Sequence, residues 1–162
     1  MPIKTVPDAE NLIKDWMAQR NITSGKGVEK LPSEFRFRFS GKDRTGIPFS
    51  IVQPNEWERT ILVVSEVRIT EERNKSIEVM EAKDRNDLLN NLYQEMSFGP
   101  APFAFAELYE NTQMPKAIQF SKEICYDGLT EDRLNSAVRD VVSGVVYVIW
   151  RIRTNFGEPK ME

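Results

Sequence analysis

The chain has 162 residues, 40% of them hydrophobic and 29% charged, with a formal charge of −3 and a pI near 5.3. That make-up describes one folded domain spanning residues 1–162 with its own core, and it excludes a disordered chain and the basic excess of a typical nucleic-acid binder. Histidine is absent and Cys125 is the sole cysteine, which excludes Ser-His-Asp and Cys-His catalysis, His-containing or all-thiolate zinc sites, and any intramolecular disulfide.

The first residues lack the apolar core of a signal peptide. The longest uncharged apolar-rich run, Val141 to Trp150, is about half of the ~20 residues a membrane span needs. A cytoplasmic protein is expected.

Asp8 is placed to cap a helix over 8–20, with Leu12, Ile13, Trp16 and Met17 on one face. Asn21 to Pro32 reads as a loop. The period then changes to two. Phe35, Phe37 and Phe39 alternate with polar residues in a strand over 34–40. A second strand over 47–53 follows, with Pro48 suggesting an edge position or a kink before the strand. A third, over 60–69, sets Ile61, Val63, Val67 and Ile69 on one face, and the three strands form the simplest antiparallel meander. A helical region over 71–97 begins at the capping residue Thr70 and restarts near Asp84. Strands over 102–109 and 117–126 then read as a hairpin, with Glu107 in register with Phe103 and Phe105.

The closing helix, over 131–153, is the most strongly marked element. Leu134, Val138, Val141, Val145, Val148 and Ile152 recur at spacings of four and three, a continuous helical stripe. Thr130 is its cap, and Leu129 with Leu134 makes a hydrophobic staple. Its β-branched middle, Val141 to Ile149, has strand propensity, but the spacing favours a helix.

The order α, β-β-β, α, β-β, α resembles the type III secretion chaperone-like fold. Three pieces, Asp84-Arg85-Asn86-Asp87-Leu88-Leu89, Tyr126-Asp127-Gly128-Leu129-Thr130 and Val148-Ile149-Trp150, together are similar to an uncharacterised archaeal family of small cytosolic proteins. The resemblance implies a homodimer and a surface that binds an extended segment of another protein. It carries no catalytic residues over.

Candidate chemistry is sparse. Phe35-Arg36-Phe37-Arg38-Phe39 interleaves rings with cations as single-strand nucleic-acid platforms do, yet alternation sends rings and arginines to opposite faces. Cys125 lacks a histidine to activate it. Glu71, Glu72, Glu78 and Glu81 are acidic but have no metal-loop spacing, and Gly25-Lys26-Gly27 is too short for a phosphate loop. No cofactor and no metal are expected. The binding candidates are aromatic: Trp57 on a turn between strands, and Tyr147 and Trp150 beside the main stripe.

The expected architecture is α+β, a twisted antiparallel sheet of about five strands with helices packed on it. The expected function is a non-enzymatic, chaperone-like protein-binding domain acting as a homodimer. The alternative is a small-molecule-binding or enzymatic domain using carboxylates, arginines and tyrosines. A clustered Arg36, Arg38 and Arg44 surface would favour nucleic acid instead.

Overall fold

Period-two alternation in five segments produces a single antiparallel sheet. The computed structural model describes residues 2–22 and 34–156, so most of the expected loop over 21–32 and the end of the tail lie outside the described residues. The strands are β1 (Phe35–Lys42), β2 (Pro48–Pro54), β3 (Thr60–Arg68), β4 (Phe103–Leu108) and β5 (Pro115–Cys125). They lie in the order β1-β2-β3-β5-β4, which makes β1 and β4 the two edges. Helices α1 (Val6–Gln19), α2 (Glu71–Glu78), α3 (Ala82–Ser97) and α4 (Glu131–Phe156) complete an α-βββ-αα-ββ-α chain.

The register explains which face is the core. Ile51 pairs with Val63, Ile61 with Ile124, Ser65 with Phe120, and Phe105 with Ile118. Cross-strand partners share a face, so Phe37, Ile51, Ile61, Val63, Ile118 and Phe120 form one apolar surface, all of them buried. α4 lies across it, against β2, β3 and β5, and touches α1 and α3 at its flanks. The other face carries Arg38, Ser50, Val64, Gln119 and Ser121, none of them buried.

α4 is helical through its β-branched middle because Val138, Val141, Val142, Val145 and Val148 are all buried. Burying such a stripe outweighs a propensity deficit of a few tenths of a kcal/mol per residue. Gly144 is where the helix comes closest to the sheet: a Cβ there would lie 2.4 Å from Phe120 Cδ1. At its start, Arg133 N donates to Thr130 Oγ1 at 3.1 Å, and Leu129 and Leu134 are both buried.

Three local expectations are corrected. α1 is capped by Thr5, not Asp8; Asp8 is the third helical residue and closes a capping box by accepting from Thr5 N at 3.0 Å. The helix therefore starts at Val6, not at 8. Pro48 opens β2, an interior strand, where its missing N–H is harmless and its carbonyl accepts from Ser65 Oγ at 2.8 Å. Glu107 is exposed with a φ of +42°, so it leaves the extended alternation instead of continuing it.

Candidate functional site

The amino-acid pattern of α4 contains a second row beside the buried stripe. Val138, Val142, Val146 and Trp150 recur at intervals of four, so they stack along one side of the helix. Val138 and Val142 are buried, whereas Val146 is 42% and Trp150 56% exposed. The row thus runs out of the core onto the surface. Tyr147 lies next to it, its ring centroid 6.4 Å from that of Trp150. The Tyr147 hydroxyl is buried and has no hydrogen-bond partner among the described residues.

Two other elements face this row. The end of α1 brings Trp16, whose ring meets Phe49 of β2 edge-on at 6.2 Å and whose Nε1 donates to Asn135 Oδ1 at 2.8 Å. The β1–β2 connection turns tightly at Asp43 to Gly46, where glycine takes a φ of +82°. The Asp43 carboxylate is occupied within that turn, accepting from Thr45 N at 3.0 Å, Thr45 Oγ1 at 2.7 Å and Ile47 N at 2.9 Å.

Together these elements enclose a groove of about 1080 Å³. Its floor is apolar: Trp16, Ile22, Phe49, Val138, Val142 and Val146, with Tyr147 and Trp150 at one end. Among the described residues its rim carries Arg20, Lys42, Arg44 and Arg139 against one carboxylate, that of Asp43. Among the described residues none of these four cations is within ion-pairing distance of a carboxylate. In a chain of net charge −3 that is a local inversion of sign. An open, apolar floor edged by cations favours anionic over cationic groups electrostatically.

The structure brings Tyr147 and Trp150 together and separates Trp57 from them. Trp57 is half-buried on the β2–β3 turn, its N–H bonded to the Pro54 carbonyl at 3.1 Å. Its own carbonyl accepts from Gln53 Nε2 at 3.0 Å. Gln53 is fully buried and also accepts from the Tyr126 hydroxyl. Burial pushes the Tyr126 phenol pKa up, and the bond to Gln53 partly offsets that. The Trp57 main chain is thus tied through Gln53 to Tyr126, the residue that follows β5, and the side chain is half-buried.

The possible arginine cluster does not assemble. Arg36 donates to the Asn55 carbonyl at 3.2 and 2.9 Å, and Arg38 points to the open sheet face. Arg44 lines the groove. Cys125 is exposed on that same sheet face, opposite Thr60. Among the described residues no cluster of three or more metal-ligating side chains exists. Likewise, no helix of the described residues is long and apolar enough to cross a membrane.

Sequence reasoning missed Phe49, Arg20, Lys42 and Arg139 as neighbours of the two aromatics. The row of fours from Val138 to Trp150 was the available signal, because it extends an apolar surface past what one sheet face can cover.

The chain matches the family described as Uncharacterized conserved protein (DUF2299) over residues 9–152. It is similar in fold to an uncharacterized protein from Methanothermobacter thermautotrophicus, with a TM-score of 0.80 at 21% identity, over 92% of this chain and 99% of that one. YbjN from E. coli is a looser likeness, with a TM-score of 0.48 at 11% identity, over 90% of this chain and 92% of that one. No curated protein matches the sequence.

Proposed function

The chain belongs to the DUF2299 family of uncharacterized conserved proteins, and on that premise we propose that it is a non-enzymatic, chaperone-like binding domain that acts as a homodimer. Its groove between α1, α4 and the β1–β2 turn takes an acidic amphipathic helix of another protein. The carrying observation is the apolar floor edged by Arg20, Lys42, Arg44 and Arg139 in an otherwise acidic chain. Leucine-like side chains of the incoming helix cover Val146 and Trp150, and its acids meet the rim. The rim charges steer the encounter and set its salt dependence, while the covered apolar area holds the complex.

Asp8 and Tyr126, whose pKa values are displaced, both lie outside the groove. Histidine is absent, and the hydroxyl–carboxylate pair in the described lining, Thr45 Oγ1 to Asp43 Oδ1 at 2.7 Å, is closed within the β1–β2 turn. The arrangement suits recognition, not turnover.

The test is titration with a synthetic acidic amphipathic peptide, followed through the emission of the exposed Trp150. Binding should shift that emission to the blue and weaken as salt is raised. Arg139→Glu, at an exposed position, should raise Kd by about tenfold without changing the melting temperature. A basic peptide of the same apolar pattern that bound equally well would sink this reading.

A further inference from the structure

The sheet edge at β4 forms a second surface. Phe98 through Ala106 contains no charged residue. Around it Phe98 is 85%, Tyr93 56% and Leu108 45% exposed. An open edge strand presents unpaired main-chain groups, and proteins normally guard it with charge, proline or a bulge. Within Phe103 to Ala106 there is no charge and no proline, and the pairing with β5 runs unbroken over those four residues.

The main-chain directions can be assigned. Ser121 N donates to the Pro102 carbonyl at 3.0 Å. Antiparallel ladders alternate, so Pro102, Ala104 and Ala106 direct their main-chain groups to β5, and Phe103 and Phe105 direct theirs to the open edge. The other side of β5 agrees. Ile69 N donates to the Lys116 carbonyl and Tyr126 N to the Arg59 carbonyl, which assigns the even-numbered residues of β5 to β3 and leaves the odd ones for β4.

We infer that β4 pairs antiparallel with β4 of a second copy about a two-fold axis through Ala104, joining two five-stranded sheets into one. In this register Phe103 of each copy exchanges both main-chain bonds with Phe105 of the other, so both outward N–H groups and both outward carbonyls of each strand are satisfied. An axis through Phe105 would set Phe103 opposite Glu107, whose φ of +42° takes it out of the ladder. An axis between residues would join the core face of one sheet to the open face of the other. Ala104 then meets its own counterpart at the narrow, non-hydrogen-bonded position, where Cα atoms approach to about 4.5 Å and the two side chains lie close together.

The phenylalanines meet on the helix side of the seam. Tyr93 of α3 already lies over them, 5.5 Å from Phe103 and 6.2 Å from Phe105 between ring centroids. A two-fold contact sets each side chain near its own kind, so a charge at the edge would repel its copy; a foreign strand imposes no such rule. The absence of charge from Phe98 to Ala106 therefore fits a second copy.

This contact supplies the homodimer of the reading above. It lies on the edge opposite β1, away from the groove, so either can fail without the other. Sedimentation equilibrium of the full chain should give a dimer at micromolar concentration. Ala104 is exposed, so Ala104→Lys and Ala104→Glu should keep the thermal melt. Each alone should raise the dimer Kd by about tenfold or more, because like charges directly opposite repel. An equimolar mixture of the two should recover the dimer. A wild-type monomer, a dimer indifferent to Ala104→Lys, or a monomer that captures an extended foreign peptide at β4 would each overturn the inference. Ala104→Lys should still bind the acidic peptide; loss of peptide binding from an intact wild-type dimer would overturn the groove alone.

Discussion

β1 and β4 are edges of one sheet, and they are finished in opposite ways. β1 carries Arg36, Arg38 and Lys42, all exposed, and its register slips between Phe35 and Phe37. Charge and a bulge both discourage a second strand from adding there. β4 presents Phe-Ala-Phe-Ala in an unbroken register. The cations at the β1 end continue into the groove rim at Lys42 and Arg44, whereas the β4 end continues into exposed rings at Tyr93 and Phe98. On the reading proposed above, a single sheet separates two kinds of recognition, one end specified by charge for an unlike partner and the other by its absence for a like one.

The largest effect should come from the element the two ends share. Gly144 of α4 rests on Phe120, and Phe120 in turn lies 6.3 Å from Phe103 of β4 between ring centroids. Phe120 is 2% exposed, so it cannot swing out to solvent without opening the core. Gly144→Leu forces the helix off the sheet at a net cost of about 2–3 kcal/mol, even after the ~1 kcal/mol gain in helix propensity. The melting temperature should fall by roughly 4–12 °C for a chain of this size. Both peptide binding and dimerisation should weaken in this one variant, whereas Arg139→Glu and Ala104→Lys each damage one. If Gly144→Leu melted like the wild type, α4 would not be the common anchor.

A sharper test of the contrast removes the guard from β1. Arg38 and Lys42 are exposed, so Arg38→Thr with Lys42→Thr leaves the core untouched and retains the Arg36 contact to Asn55. With both edges then open, isologous pairing at each has no closed end point. Sedimentation velocity should show species beyond the dimer, growing with concentration. An unchanged dimer would mean that the bulge at Phe35 and the remaining Arg36 suffice to keep β1 closed.

How much of this could be read from the chain follows from the range of each signal. Alternation over 34–40 and the stripe from Leu134 to Ile152 are local, and both elements are there in the structure. The position of β4 is not local. A hairpin of β4 and β5 can join a meander through either strand, and only the pairing of β3 with β5 makes β4 an edge. The groove is likewise tertiary, because Arg20, Arg44 and Arg139 lie on three separate elements. Polar residues on the core face mislead in the same way. Gln53 is fully buried and Ser65 is 3% exposed, satisfied by Trp57, Tyr126 and Pro48 from elsewhere in the chain. The turn that carries Trp57 is held in the same tertiary way, through Gln53 to Tyr126 far along the sequence.

The smallest effect expected is confined to the groove end. α1 supplies Trp16 and Arg20 to the groove, and its start is held by the Thr5–Asp8 capping box. Thr5→Ala should cost about 1 kcal/mol. It should loosen peptide binding slightly and leave the dimer alone, since α1 packs on α4 and has no part in β4. Hydrogen bonds from the Thr5 side chain and from the main chain of Thr5 and Lys4 lower the Asp8 pKa below 3.8. A carboxylate whose folded pKa is depressed stabilises the protein above its unfolded pKa, and that contribution is lost as pH falls through the folded value. Asp8→Asn should therefore melt below the wild type at neutral pH, and the gap should close on acidification below pH 3.8. A gap that stayed constant into stronger acid would show that the Asp8 charge takes no part in capping, and that the Thr5 hydroxyl alone fixes where α1 begins.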